Sequence, residues 1–204
     1  NTPQTAIWYL NNNVYVSAAY GPTLTSGWRL RAAADFNRDS HPDYALFDSV
    51  TEQTGLWYLS GPTLIGSAYG PTLPNGWEFV GTTDFNGDNK PDYVLYNADT
   101  RQTAVWYMNN NVYLGGGYGP IIPPGWNLIG VADFNGDGIL DLAVTVQNDC
   151  SGFLNCRTSV VNTLFGKEDG TFGGEQTYFS GGYFAISVAA ADFDGDGKAD
   201  LAVA

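Results

Sequence analysis

The chain has 204 residues, enough for one well-buried domain or two small ones, and its 21 acidic against 8 basic residues give a formal charge of −13. So few Lys and Arg, with no basic cluster, argue against nucleic-acid binding, and no stretch approaches the apolar length of a membrane span. No signal-peptide pattern is present, so an exported protein of this sequence would be a mature form or a fragment.

In chain order, a first strand is predicted around Trp8 in AIWYL, then an Asn-rich turn at 11–13 and a second strand ending in AYGPTL. Trp28 opens WRL, a strand that runs through small residues into the acidic loop DFNRDSHPD at 35–43, and DYALF leaves that loop as the next strand. The series then returns with Trp57 in GLWYL, a second AYGPTL, a strand from Trp77, and the loop DFNGDNKPD at 84–92 followed by DYVLYN. It returns again with Trp106 in AVWYM, an Asn turn at 109–111, GYGPII, a strand from Trp126, and DFNGDGILD at 133–141 followed by DLAVTV. The last unit diverges most. NTLFGKEDGTF replaces the Trp-Tyr segment and Tyr183 stands near the second Trp position, before DFDGDGKAD at 192–200 and a final DLAVA.

The loops begin at Asp35, Asp84, Asp133 and Asp192, spaced by 49, 49 and 59 residues. A period of about 40 to 50 residues, each holding several short strands, marks propeller blades or related arrays. Aromatic and β-branched content, Asn-Gly, Asp-Gly and Gly-Pro turns, and the lack of a 3.6-residue apolar period predict an all-β chain with no helix. The expected fold is one repeat domain over 1–204, made of four tandem four-stranded antiparallel units that form propeller-like blades. The chain starts at a third strand and stops after a second strand, so the N-terminal strands are expected to complete the last blade. They would do so in cis, closing a ring, or in a neighbouring chain, giving head-to-tail assembly.

Each loop sets oxygen-bearing side chains at positions 1, 3, 5 and 9, the arrangement that a hard cation with six to eight oxygen ligands requires. Thirteen of the 21 acidic residues lie in these loops, and without a cation their mutual repulsion favours the unfolded chain. Up to four calcium ions are therefore expected, which would leave a net charge of about −5. Position 6 calls for a positive φ, which Gly138 and Gly197 supply, Asn89 tolerates and Ser40 adopts poorly. With Arg38 also beside it, the first site is predicted to be the weakest and the fourth, with four carboxylates, the tightest.

The segments ADFNGDGILDLAV and ADFDGDGKADLAVA resemble the FG-GAP repeat, also called the VCBS repeat, and the likeness extends over all four units, the first two departing from it within the loop. The resemblance implies β-propeller blades with calcium in the hairpin between the first two strands, and roles in adhesion, ligand binding or scaffolding. Carried over by motif, the implied ligands are Asp35, Asn37, Asp39 and Asp43; Asp84, Asn86, Asp88 and Asp92; Asp133, Asn135, Asp137 and Asp141; and Asp192, Asp194, Asp196 and Asp200. Position 7 (His41, Lys90, Ile139, Lys198) would give only its backbone carbonyl. An EF-hand fits less well, because it needs Glu at position 12, where the third loop has Val144.

Cys150 and Cys156, close in sequence with no histidine nearby, suit a small disulfide in a lengthened loop better than a zinc site. That pair, low lysine and the calcium-type loops point to an extracellular, secreted or cell-surface protein. The single histidine, His41, reads as an exposed loop side chain, and with no second histidine and no G-x-S-x-G elbow a nucleophilic triad has no base. Carboxylate clusters that recur in every unit do not read as one active site, so no catalysis is expected. The expected function is a non-catalytic calcium-binding module for adhesion or structural assembly, with a fibre-forming subunit as its extreme form. The alternative is a carbohydrate-binding propeller lectin whose Trp and Tyr faces stack on sugar rings, and the expected ligand is a glycan or cell-surface molecule.

Overall fold

A computed structural model describes residues 3–11, 14–132, 134–135, 137, 139, 141–146, 160–167, 172–179, 188–191 and 200–203. These form sixteen strands: β1 (Gln4–Asn11), β2 (Val14–Thr23), β3 (Trp28–Ala34), β4 (Asp43–Asp48), β5 (Gln53–Ser60), β6 (Thr63–Thr72), β7 (Trp77–Thr83) and β8 (Asp92–Asn97), then β9 (Gln102–Asn109), β10 (Val112–Ile121), β11 (Trp126–Ala132), β12 (Asp141–Val146), β13 (Val160–Gly166), β14 (Phe172–Phe179), β15 (Val188–Ala191) and β16 (Asp200–Val203). The described residues contain no helix, as the sequence predicts. Three four-stranded meanders result, β3–β4–β5–β6, β7–β8–β9–β10 and β11–β12–β13–β14, with β1–β2 and β15–β16 as separate two-stranded sheets.

Repetition extends to the register. The first strand of each meander carries one extra residue: Leu30 and Ala32 face Leu46 and Ala45, Phe79 and Gly81 face Leu95 and Val94, and Leu128 and Gly130 face Val144 and Ala143. This repeated bulge bends the strand just before the acidic loop. The two-stranded sheets copy parts of the same plan. Gln4 faces Thr23 as Gln53 faces Thr72, and Ala191 faces Asp200 as Ala34 faces Asp43. No sheet closes on itself among the described residues, and no strand pairing there joins β1–β2 to β15–β16.

The chain divides into two compact units, one of residues 1–99 and 104–117, the other of residues 100–103 and 118–204. In the first, Ala45, Phe47 and Leu56 of one meander and Phe79, Tyr93, Leu95 and Met108 of the next share a buried cluster. Tyr93 packs on Phe79 with centroids 4.4 Å apart, and edge-on against Phe36 at 6.2 Å. Its burial pushes the phenol well above its ordinary range. A second cluster of Leu24, Tyr44, Leu46 and Leu59 fills the opposite face of β3–β6, with Trp28 and Trp57 packed against it. In the second unit, Leu142, Ala143, Val144 and Val161 are buried.

The recurring Gln-Thr pairs and Tyr-Gly-Pro triplets are explained by one interlock. Thr5, Thr54 and Thr103 donate to the carbonyls of Pro22, Pro71 and Pro120 at 2.8, 2.6 and 2.8 Å. A Cβ on Gly21 or Gly119 would stand 2.5 Å from the Thr5 or Thr103 hydroxyl, and one on Gly70 would collide with the Thr54 hydroxyl in the same way, so only glycine lets these strands close.

Candidate functional site

The acidic loops join the first two strands of each meander, as expected. Loops at 35–43 and 84–92 are described in full. In the third loop Phe134, Asn135, Asp137, Ile139 and Asp141 are described, whereas Asp133 lies outside the described residues, as do Asp192, Asp194, Asp196 and Lys198 of the fourth. Asp200 is described only as the first residue of β16. The Cys150–Cys156 pair also lies outside the described residues.

Three shared contacts build each of the first three loops. The carboxylate at position 9 is fully buried in Asp43, Asp92 and Asp141. Its Oδ2 accepts the N–H of the loop Phe (Phe36 3.0 Å, Phe85 3.0 Å, Phe134 2.8 Å), and its Oδ1 accepts an N–H from the third strand (Leu59 2.9 Å, Met108 2.8 Å, Gly166 2.8 Å). One side chain thus fastens the loop to a strand 16 residues away in the first two loops and 25 in the third. Second, the Asn at position 3 accepts the N–H of position 5: Asp39 to Asn37 at 3.0 Å, Asp88 to Asn86 at 2.9 Å, Asp137 to Asn135 at 2.9 Å. Third, position 5 accepts the N–H of position 7, His41, Lys90 or Ile139, at 2.9, 3.0 and 2.8 Å.

Position 1 completes the turn. Asp35 accepts the N–H groups of Asp39 and Ser40 at 3.0 and 2.8 Å, and Asp84 those of Asp88 and Asn89 at 3.2 and 2.8 Å. Burial raises the proton affinity of Asp43 and Asp92, and the amides that bind them offset only part of that cost. Asp39 is shifted down, chiefly by the Asn37 amide and then by the His41 N–H.

The predicted positive φ at position 6 is present in the first two loops, 70° at Ser40 and 58° at Asn89, while Gly138 and Gly197 lie outside the described residues. Sequence reading missed a second one at position 4: Gly87 has φ 74°, and Arg38 is held at 65° where the second loop has that glycine. His41 is exposed, with its ring Nδ1 3.2 Å from the Asp39 carbonyl. The Lys90 side chain also takes part in the turn, its ammonium donating to Asp88 Oδ2 at 3.1 Å.

Among the described residues no group of three or more Asp, Glu, His or Cys side chains stands ready as a metal-binding cluster. The acidic oxygens are instead turned to backbone N–H groups. In kind the donors still suit a hard cation: each of the first three loops carries carboxylate and amide oxygens, and an oxygen that accepts one N–H keeps a second lone pair. A cleft of about 510 Å³ lies between the first two loops, lined by Asp35, Arg38, Ser40, Asp84, Asn89 and Lys90 among others.

Comparison with known proteins takes in the second, third and fourth loops. A family model described as FG-GAP-like repeat matches residues 84–144 and 146–203. Among solved structures, the chain is similar to one in the Photorhabdus luminescens Tc holotoxin pore carrying the TccC3-D651A mutation, with a TM-score of 0.50 and 14% identity. That match takes in 97% of this chain and 12% of the toxin chain, and at this identity the likeness concerns the fold alone. No curated protein matches the sequence.

Proposed function

The chain belongs to the FG-GAP-like repeat family, and from that premise we propose that it is a non-catalytic, calcium-stabilised extracellular repeat module that works by adhesion or structural assembly. The observation that carries this reading is the same acidic turn in successive meanders, each hung from a buried carboxylate, Asp43, Asp92 or Asp141. Bound calcium would be held by oxygens at positions 1, 3, 5 and 9 and would neutralise charges that otherwise repel across each turn. The protein's own part is to hold the turn: backbone N–H groups orient the acidic side chains, and the position 9 carboxylate anchors it to the core.

Calorimetric titration with calcium, paired with thermal unfolding in calcium and in chelator, tests the reading. Calcium at about 100 times its dissociation constant should add about 2.7 kcal/mol per site. Unchanged unfolding in chelator together with silent calorimetry would refute it.

A second reading, a carbohydrate-binding module, is favoured by one cleft. It measures about 200 Å³ on the face of β3–β6 and is lined by Trp28, Trp57 and Tyr69 with Thr25 and Ser67. The Trp28 and Tyr69 rings stand 6.1 Å apart, Tyr69 is 73% exposed, and glycine at 55 lets Trp28 lie flat on the strand. Aromatic walls with a few hydroxyls suit the apolar face of a sugar ring. Glycan-array binding that Trp57→Ala abolishes would favour it over the first reading.

A further inference from the structure

Two sheet edges in this molecule are complementary. Among the described residues β1 pairs with β2 on one side and has no strand on the other, and β16 pairs only with β15. Within a complete meander the second and third strands meet with Tyr44 facing Trp57, Ala45 facing Leu56 and Leu46 facing Gly55. β15–β16 keeps the register of β3–β4 over the three pairs next to the loop, at Asp200, Leu201 and Ala202, and β1–β2 keeps that of β5–β6. Joining them by the same rule sets Leu201 opposite Trp8, Ala202 opposite Ile7 and Val203 opposite Ala6. The face of β1 is uncovered as well as its edge: Trp8 is 70% exposed, while its counterparts Trp57 and Trp106 are half-buried.

We propose that β1 of one copy pairs with β16 of a second copy in this register, building a four-stranded sheet from two molecules and extending head to tail. It rests on the module reading above and names its partner: this chain itself. The N–H of Leu59 points away from β6, towards the loop side, because it reaches Asp43. Alternation along a strand then turns the N–H groups of Trp57 and Gly55 the same way, and those of Trp8 and Ala6 towards the free edge of β1. An exposed edge with an uncovered aromatic face is a template for another strand, and the matching edge on the same chain makes the contact heterologous.

Sedimentation of the full chain across concentrations, with calcium present, provides the test. The wild type should grow in mass with concentration. Ala6→Pro removes one edge donor and no β1–β2 bond, so it should weaken association at least about tenfold while circular dichroism and melting stay unchanged. A second measurement does not depend on that variant folding. Ala6→Cys and Val203→Cys, on separate molecules and mixed under mild oxidant, should cross-link to each other above the level that either shows alone. A monomer at every concentration, Ala6→Pro associating as the wild type does, or a mixture that fails to cross-link would each overturn the proposal. Calcium calorimetry on the same samples keeps the two readings apart: binding by a strictly monomeric chain removes the assembly and leaves the module.

Discussion

The hairpins β1–β2 and β5–β6 follow one plan in two settings. Both place a Trp-Tyr pair on the inner strand and Tyr-Gly-Pro on the outer one, and their cross-strand partners correspond position by position. In β5–β6 the inner strand lies beside β4, Leu56 and Leu59 are fully buried, and Asp43 is tied to the backbone of Leu59. In β1–β2 the inner strand has no second neighbour among the described residues, and Trp8 faces outwards. Local sequence therefore suffices to make the hairpin, but its burial is conferred by the strand and the sheet placed against it.

The largest effect should come from what the complete meander has and the bare hairpin lacks. Asp43→Ala removes the acceptor of the Phe36 and Leu59 N–H groups and strands both in a buried site. We expect a loss of about 3 kcal/mol or more in denaturant unfolding, measured in chelator so that no ion contributes. A loss under about 1 kcal/mol would show that the carboxylate does not hold loop to strand. A smaller contrast should separate the two tryptophans: Trp57→Ala costs about 3 kcal/mol, whereas Trp8→Ala in dissociated protein costs less than about 1 kcal/mol. Equal costs would mean that the two hairpins are equally buried in solution.

The smallest effect sharpens a second contrast, between the first two loops. Arg38→Gly and Ser40→Gly relieve side chains held at φ 65° and 70°, so each should stabilise the chain by about 1 kcal/mol. Gly87→Ala, at φ 74° in the second loop, should cost a similar amount. Equilibrium unfolding of the three variants gives the signs directly.

Period, strand order and the place of the acidic loops were legible in the sequence because each rests on local chemistry. Turn residues fix φ, alternation fixes the faces of a strand, and repeats at a step of 49 announce one structure made several times. The strain at Ser40 was also legible, since positive φ is a property of a single residue. The inward staple at position 9 was not, because the N–H groups that Asp43 and Asp92 bind lie 16 residues on and reach them only after three strands have packed. The Thr–Gly–Pro interlock escaped for the same reason: Thr54 and Gly70 look unremarkable until the bulges of β6 bring them into contact. What the sequence determined by itself was thus a set of repeating strands and turns, each a short-range preference. Which carboxylates face the core, and which tryptophans stay in water, was decided by tertiary packing, because burial depends on neighbours that no local pattern encodes.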